Sequence, residues 1–203
     1  MRRGSSKLKL VCGVDEVGRG PLAGPVVVAA VVLEDDISII GLTDSKLLSP
    51  ARRYKLVSEI LEKAAGYAIA GVSNFIIDKI NILQASFLAM RKAVEKLPLR
   101  PDVVYVDGKF KIPGIEISQE AIIGGDKIVP EISAASILAK VTRDAYMTEV
   151  ARMYPEYGFE RNKGYGTKEH IQTLQKLGPC RLHRRSFKPV SQLIPRGIDG
   201  RIA

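Results

Sequence analysis

Apolar positions along the chain follow two periods. Leu8-Lys9-Leu10-Val11-Cys12-Gly13-Val14 is a nearly continuous apolar run and predicts a buried strand. Val26-Val27-Val28-Ala29-Ala30-Val31-Val32-Leu33 is too β-branched and too apolar for anything but a central strand, and the short loop between the two suggests an antiparallel pair. Ser49-Pro50 then opens a helix, with serine as N-cap and proline at the first position, that carries Tyr54, Leu56, Val57, Ile60 and Leu61 at helical spacing. Gly66 to Val72 predicts a third strand. From about Ile76 to Leu97, residues such as Ile80, Leu83, Phe87, Met90 and Val94 mark an amphipathic helix, or two abutting ones, crossing over to Val103-Val104-Tyr105-Val106. Ile117 to Ile123 predicts a shorter strand closed by Gly124-Gly125-Asp126. Helical spacing returns from Ser133 to about Tyr154, and again from Thr167, an N-cap, to Leu177, with Gly178 as the stop. Strands alternating with helices give an α/β chain with a sheet of about five strands flanked by helices. One domain over residues 1–203 is expected, with a small helical C-terminal part from about 155 and a loosely ordered tail from about 195.

The strand ends carry the unusual chemistry. Asp15 and Glu16 end the first predicted strand, and Gly18-Arg19-Gly20 comes next. Adjacent carboxylates at a sheet edge have no structural reward unless a divalent metal supplies one, although Asp-Glu could also start a solvated turn. Asp107 ends the strand reached by the helical crossover. Such a strand is usually parallel to its neighbour, and ligands in open α/β sheets sit beyond the carboxyl ends of strands, so Asp107 should land near Asp15. Asp126 follows the short strand on a Gly-Gly turn. Four acids at strand ends could bind two divalent ions for an in-line phosphoryl displacement. An Asp-Gly turn at residue 107 and ordinary loop chemistry at residue 126 are the plain alternatives.

Charge narrows the partners. With 31 Lys and Arg against 22 Asp and Glu, the formal charge is +9, which attracts polyanions and raises the case for nucleic acid. Lys46, in Asp44-Ser45-Lys46, suits a backbone phosphate or is a solvated loop charge. Tyr165, between Gly164 and Gly166 in a basic loop, reads as a stacking platform for a base or sugar. Lys163, Lys168 and Arg184 are further candidates for attracting a duplex, though the run Arg181-Leu182-His183-Arg184-Arg185 reads first as a solvated surface. His170 and His183 read as surface or packing residues. No Gly-x-Ser-x-Gly elbow accompanies them, and the Gly18-Arg19-Gly20 turn lacks the Gly-Lys-Ser/Thr ending of a phosphate-binding loop. Cys12 and Cys180 have neither metal-type spacing nor a disulfide framework around them and read as free thiols. The N-terminus has no apolar leader and no run reaches a membrane span, so a cytoplasmic protein is expected.

Several motifs, in order and at the right spacing, resemble the bacterial ribonuclease HII family. They are Gly13 to Pro25, Asp44-Ser45-Lys46, Val106-Asp107-Gly108, Gly125-Asp126, Ser133 to Asp144, and Lys163 to His170. The resemblance covers the chain from about Leu8 to Pro189. Val17 and Thr43 stand where Ala and Asn are most often expected, and these small departures put little in doubt. The resemblance implies an RNase H-like mixed sheet and an endonuclease that hydrolyses the RNA strand of RNA–DNA hybrids. It also implies nicking 5′ to a ribonucleotide embedded in duplex DNA, leaving a 3′-hydroxyl and a 5′-phosphate, by two-metal-ion catalysis with Mg²⁺ or Mn²⁺. Carried over by position, Asp15, Glu16, Asp107 and Asp126 resemble the metal ligands. Gly18, Arg19 and Gly20 resemble the reader of the 2′-hydroxyl, Lys46 a phosphate contact, and Tyr165 the aromatic that stacks on the neighbouring deoxyribose. Glu131 and Asp144 rank below Asp126, because helix dipole or solvation explains each.

Two other function classes are weighed against this reading. A metal-dependent nuclease or integrase of the same fold, indifferent to the 2′-hydroxyl, would not need Gly18-Arg19-Gly20 together with Tyr165. A non-catalytic nucleic-acid-binding module would not keep four acids in a groove for a polyanion. The chain is expected to act as a monomer. A replication clamp bound through the tail is a partner that no residue of the sequence supports.

Overall fold

The computed structural model describes residues 9–34, 39, 41–42 and 48–194, so Thr43, Asp44, Ser45 and Lys46 and the chain from Pro195 lie outside the described residues. In chain order the elements are β1 (Val11–Val17), β2 (Val26–Leu33), α1 (Pro50–Lys63), β3 (Ala64–Val72) and α2 (Asn74–Glu95). They continue with β4 (Val103–Asp107), β5 (Ser118–Ile122), α3 (Pro130–Ala151), α4 (Phe159–Asn162) and α5 (Lys168–Leu177). The strands make one mixed sheet in the order β3-β2-β1-β4-β5. β2 is buried along its whole length, as its Val and Ala composition demands, whereas β5 at the edge has no fully buried residue.

β1 and β4 run parallel with Val11 opposite Val103 and Val14 opposite Val106, so Asp15 and Asp107 each take the next step along adjacent strands. β4 and β5 are parallel too, with Asp107 opposite Ile122. β1 extends to Val17, beyond the apolar run that ends at Val14. Asp15 and Glu16 are therefore strand residues at its end, as expected, and the alternative of a solvated turn falls away; pairing carries the backbone on past the last apolar side chain. α3 likewise starts at Pro130, ahead of Ser133, because proline fits the first helical position.

The caps follow their residue types. Ser49 Oγ accepts from the Arg52 amide at 3.3 Å, Thr167 Oγ1 accepts from the His170 amide at 3.2 Å, and Gly178 closes α5 at a positive φ of 74°. α2 is two abutting helices. Asn81 stands at φ 65°, ψ 167° inside it, and its Oδ1 accepts from the amides of Leu83 and Gln84 at 3.0 and 3.1 Å, capping the second part.

Chain packing divides the molecule into two compact units. The first comprises Met1–Glu16, Val28–Ala70 and Met90–Ala139. Its buried residues include Val28 to Leu33, Leu56, Ile60, Val103, Val104, Val106, Ile132 and Ile137. At Gly13 a Cβ would lie 2.1 Å from the carbonyl carbon of Glu131, so the first turn of α3 crosses β1 where only glycine leaves room. The second unit comprises Val17–Val27, Gly71–Ala89 and Lys140–Ala203. It is built on a cluster of Ala23, Met147, Val150, Ala151, Tyr157 and Phe159 and another of Leu22, Leu174 and Val190. Cys12 and Cys180 are free, and burial pushes the Cys12 thiol up to about 12. Among the described residues no helix is long and apolar enough to cross a membrane.

Candidate functional site

The first unit holds the acids. Asp15 is buried, its Oδ1 accepting from the Glu16 amide at 2.7 Å, and Ser136 of α3 donates to the same carboxylate. Burial raises Asp15 well above the usual carboxylate range, and the charges of Glu16 and then Asp107 raise it further. Asp107 carries a buried Oδ1 with no hydrogen-bond partner. Asp126 is buried on the single turn Gly125–Lys127, where Ser133 Oγ donates to its main-chain carbonyl at 2.7 Å. Asp15, Glu16 and Asp107 thus form one electrostatic group. Among the described residues no three His, Cys, Asp or Glu side chains are gathered tightly enough to enclose an ion as they stand.

A hard divalent cation fits these donors nonetheless. A buried carboxylate oxygen without a partner is costly, and so is a buried acid beside two like charges. One cation relieves both costs, and carboxylate oxygens select Mg²⁺ or Mn²⁺ over metals that prefer imidazole or thiolate.

The second unit holds the Gly18-Arg19-Gly20 loop on two buried guanidinium groups. Arg184 donates from its terminal nitrogens to the carbonyls of Gly18 at 2.5 Å and Arg19 at 2.8 Å, and from Nε to Gly24 at 3.0 Å. Arg143 donates to the carbonyls of Pro25 at 2.9 Å, Lys163 at 2.9 Å and Ala23 at 3.1 Å. Both side chains are fully buried, so the expectation of a solvated charge, and of Arg184 as a duplex contact, is overturned; backbone carbonyls take the place of water. Burial and then Arg143 pull Arg184 down to about 9, still above neutral pH, so it stays charged. Gly18 has φ 95° and a Cβ there would stand 2.3 Å from Arg143 Nε and 2.8 Å from the Pro25 carbonyl. Gly20 is different. A Cβ at that position would meet only Tyr165 Cε1, at an ordinary 3.9 Å.

Tyr165 is 39% exposed, with Lys140 Nζ 6.0 Å and the Arg143 guanidinium 5.7 Å from its ring centre. Its flanking glycines serve tight packing and not looseness, since a Cβ on Gly164, at φ 83°, would lie 2.5 Å from the Ala23 carbonyl. The Tyr165 carbonyl accepts from the Thr167 amide at 2.8 Å and from His170 Nδ1 at 2.8 Å. Both histidines are buried packing residues with Nε2 atoms 3.0 Å apart. Their tautomers follow from their partners. His170 must carry its proton on Nδ1 to meet a carbonyl, so its Nε2 accepts from His183 Nε2–H. His183 Nδ1 is then free to accept from the Cys180 amide at 3.0 Å. Burial, and for His183 also His170, lowers both rings, His183 to about 4.

Of the remaining candidates, Lys46 lies outside the described residues. Lys163 Nζ is held by Thr148 Oγ1 and the Glu160 carbonyl. Lys168 opens α5 and is exposed. Sequence reasoning missed Ser136, Arg143 and the bracing role of Arg184. Arg143 had a signal: it stands four residues from Ala139 and four from Met147, on the apolar face of its helix.

The sequence profile of the Ribonuclease HII family matches residues 12–190. A Ribonuclease HII of Caldicellulosiruptor bescii is 54% identical over 179 residues, 88% of this chain and 86% of its own length. The crystal structure of the ribonuclease H2 from Pyrococcus horikoshii is 28% identical and superposes with a TM-score of 0.76 over 91% of this chain and 96% of that one. The RNase HII solved in a PCNA:RNase HII complex from Archaeoglobus fulgidus is 25% identical, with a TM-score of 0.76 over 94% and 98%.

Proposed function

The chain belongs to the ribonuclease HII family and is a hydrolytic ribonuclease H with an RNase H-like fold, and from that premise we propose how its residues divide the work. In this reading Asp15, Glu16, Asp107 and Asp126 hold two divalent ions, Mg²⁺ or Mn²⁺. Such ions supply Lewis acidity for a water nucleophile and for the leaving 3′ oxygen. The observation that supports this most directly is the buried, unpartnered Oδ1 of Asp107 beside a carboxyl that Asp107 itself raises. Ser136 orients Asp15 by its hydrogen bond, and Ser133 holds the turn that carries Asp126.

Gly18, Arg19 and Gly20 read the 2′-hydroxyl. Position 18 needs glycine for the protein's own packing, whereas among the described residues nothing crowds position 20. The glycine there leaves room for a sugar to approach the backbone, and a 2′-hydroxyl is both donor and acceptor. Tyr165 stacks on the sugar of the adjoining nucleotide and leaves no space for a second 2′-oxygen. Lys46 contacts backbone phosphate. The substrates are then RNA–DNA hybrids and duplex DNA containing ribonucleotides, nicked on the 5′ side of the ribonucleotide to leave a 3′-hydroxyl and a 5′-phosphate. The chain works as a single catalytic domain in the cytoplasm.

The test is cleavage of three matched duplexes with and without chelator: all-DNA, one embedded ribonucleotide, and full RNA–DNA hybrid. Metal-dependent cutting of the last two, with the nick mapped 5′ to the ribonucleotide, is expected. Comparable cutting of all-DNA would point to a nuclease of this fold that ignores the 2′-hydroxyl, and cutting that survives chelation would remove the metal assignment.

A further inference from the structure

The catalytic reading leaves Arg184, His183 and His170 without a task, yet these three buried side chains meet both backbone stretches assigned to sugar recognition. The segment that carries Arg184 and His183 is itself pinned to α2. Asn74 Nδ2 donates to the carbonyls of Arg181 at 2.9 Å and His183 at 3.2 Å. Asp78 accepts from the amides of Arg185 and Ser186, each at 2.9 Å, and from Ser186 Oγ at 2.6 Å. Two arms leave this anchored segment. Arg184 reaches the carbonyls of Gly18 and Arg19, and His183 reaches the Tyr165 carbonyl through His170.

We propose that Arg184 and the His183–His170 pair are positioning residues for discrimination between ribose and deoxyribose, fixing the Gly18-Arg19-Gly20 backbone and Tyr165 from one anchored segment. The inference rests on the sugar-reading roles given to that loop and to Tyr165. A trans peptide is planar, with its N–H directed opposite to its C=O. The Gly18 carbonyl shares a peptide with the Arg19 amide, and the Arg19 carbonyl with the Gly20 amide. Turning both carbonyls onto Arg184 therefore turns the Arg19 and Gly20 amides away from it, in the direction from which a 2′-oxygen can be met. The fork matters more than the charge. Three carbonyls, of Gly18, Arg19 and Gly24, are bridged by one planar group, which a lysine ammonium on a flexible stem cannot reproduce. On the other arm, the fixed tautomers make a directional chain from the Cys180 amide to the Tyr165 carbonyl.

Arg184→Lys separates geometry from charge. Affinities are measured by fluorescence anisotropy in an Asp107→Asn background with Mg²⁺, for a duplex with one embedded ribonucleotide and for its all-DNA match. Arg184→Lys should reduce the preference for the ribonucleotide duplex by about tenfold, the order expected from losing charge-assisted hydrogen bonds, and change all-DNA affinity little. Arg181→Ala, which removes an exposed cation of the same run, should weaken both duplexes alike. Equal weakening by Arg184→Lys, or an intact preference, overturns the proposal. A parent without any preference overturns the sugar-reading roles instead, and the proposal with them. If Arg184→Lys does not fold, His170→Leu carries the test: it removes the donor to Tyr165 without touching Arg184, and an unchanged preference again overturns the proposal. Hydrogen exchange gives a readout independent of binding. Amides of residues 18–25 should exchange faster in Arg184→Lys while those of β4 keep the parental rate, and unchanged exchange at 18–25 counts against the brace.

Discussion

Acidification should unlock the histidine pair. With His170 Nδ1–H on the Tyr165 carbonyl and His183 Nδ1 accepting from Cys180, each ring holds one proton and every nitrogen is used. A second proton on His170 would set two N–H groups against each other, and a second on His183 would aim N–H at the Cys180 amide. Burial and this pairing hold His183 at about 4, against 6.5 in an unfolded chain. Because the folded value is the lower one, the unfolded chain binds the proton first, and stability is lost as pH falls through 6.5 toward 4. At roughly 1.36 kcal/mol per pH unit the loss reaches about 3 kcal/mol by pH 4. Urea midpoints followed by far-ultraviolet circular dichroism from pH 7.5 to 4, in the parent and in His183→Gln, measure it. The difference between the two curves cancels carboxylates that titrate in both proteins. It should narrow by about 3 kcal/mol over that interval as the parent loses the advantage of its neutral histidine. A difference that stays constant to within about 0.5 kcal/mol would show that His183 does not titrate as its surroundings require.

Asp107→Asn removes both the orphaned carboxylate charge and a charge that raises Asp15, so the metal-free protein should melt no lower than the parent while cleavage at saturating Mg²⁺ falls by orders of magnitude. Near-parental turnover would take Asp107 out of the ligand set. Gly18→Ala and Gly20→Ala should part company. The first meets Arg143 at 2.3 Å in a left-handed backbone and should lose about 1–3 kcal/mol of stability. The second should melt like the parent yet cut the single-ribonucleotide duplex poorly, and parental cutting would leave position 20 without its role. Tyr165→Ala should weaken binding of that duplex by about 1–3 kcal/mol and Tyr165→Phe should not. Equal affinities for Ala and parent would remove the stacking assignment.

Local chemistry made the helix boundaries legible. Ser49 with Pro50, Thr167 and Gly178 act within a turn of their own positions, and the polar Asn81 interrupts an apolar pattern already ambiguous between one helix and two. The approach of Asp107 to Asp15 was legible through the parallel crossover, a rule of topology and not of contact. What escaped is long-range. Arg184 looks solvated in a run of cations because its partners, the carbonyls at 18, 19 and 24, stand some 160 residues earlier and carry no side-chain signature. The histidines were hidden for the same reason: no local pattern tells that two rings will share a proton axis. Asp126 was the weakest acid by local pattern, an Asp after two glycines, and the bond from Ser133 that holds its turn reaches back from the next helix.

The two enclosed guanidinium groups also change what the formal charge of +9 means for a polyanion. When a surface lysine neutralises a phosphate, the duplex sheds a condensed cation, and added salt weakens that exchange. Arg143 and Arg184 face main-chain oxygens instead and release no such ion. The slope of duplex affinity against salt should therefore count fewer cations than the sequence offers, and these two groups serve a polyanion only through the backbone they hold.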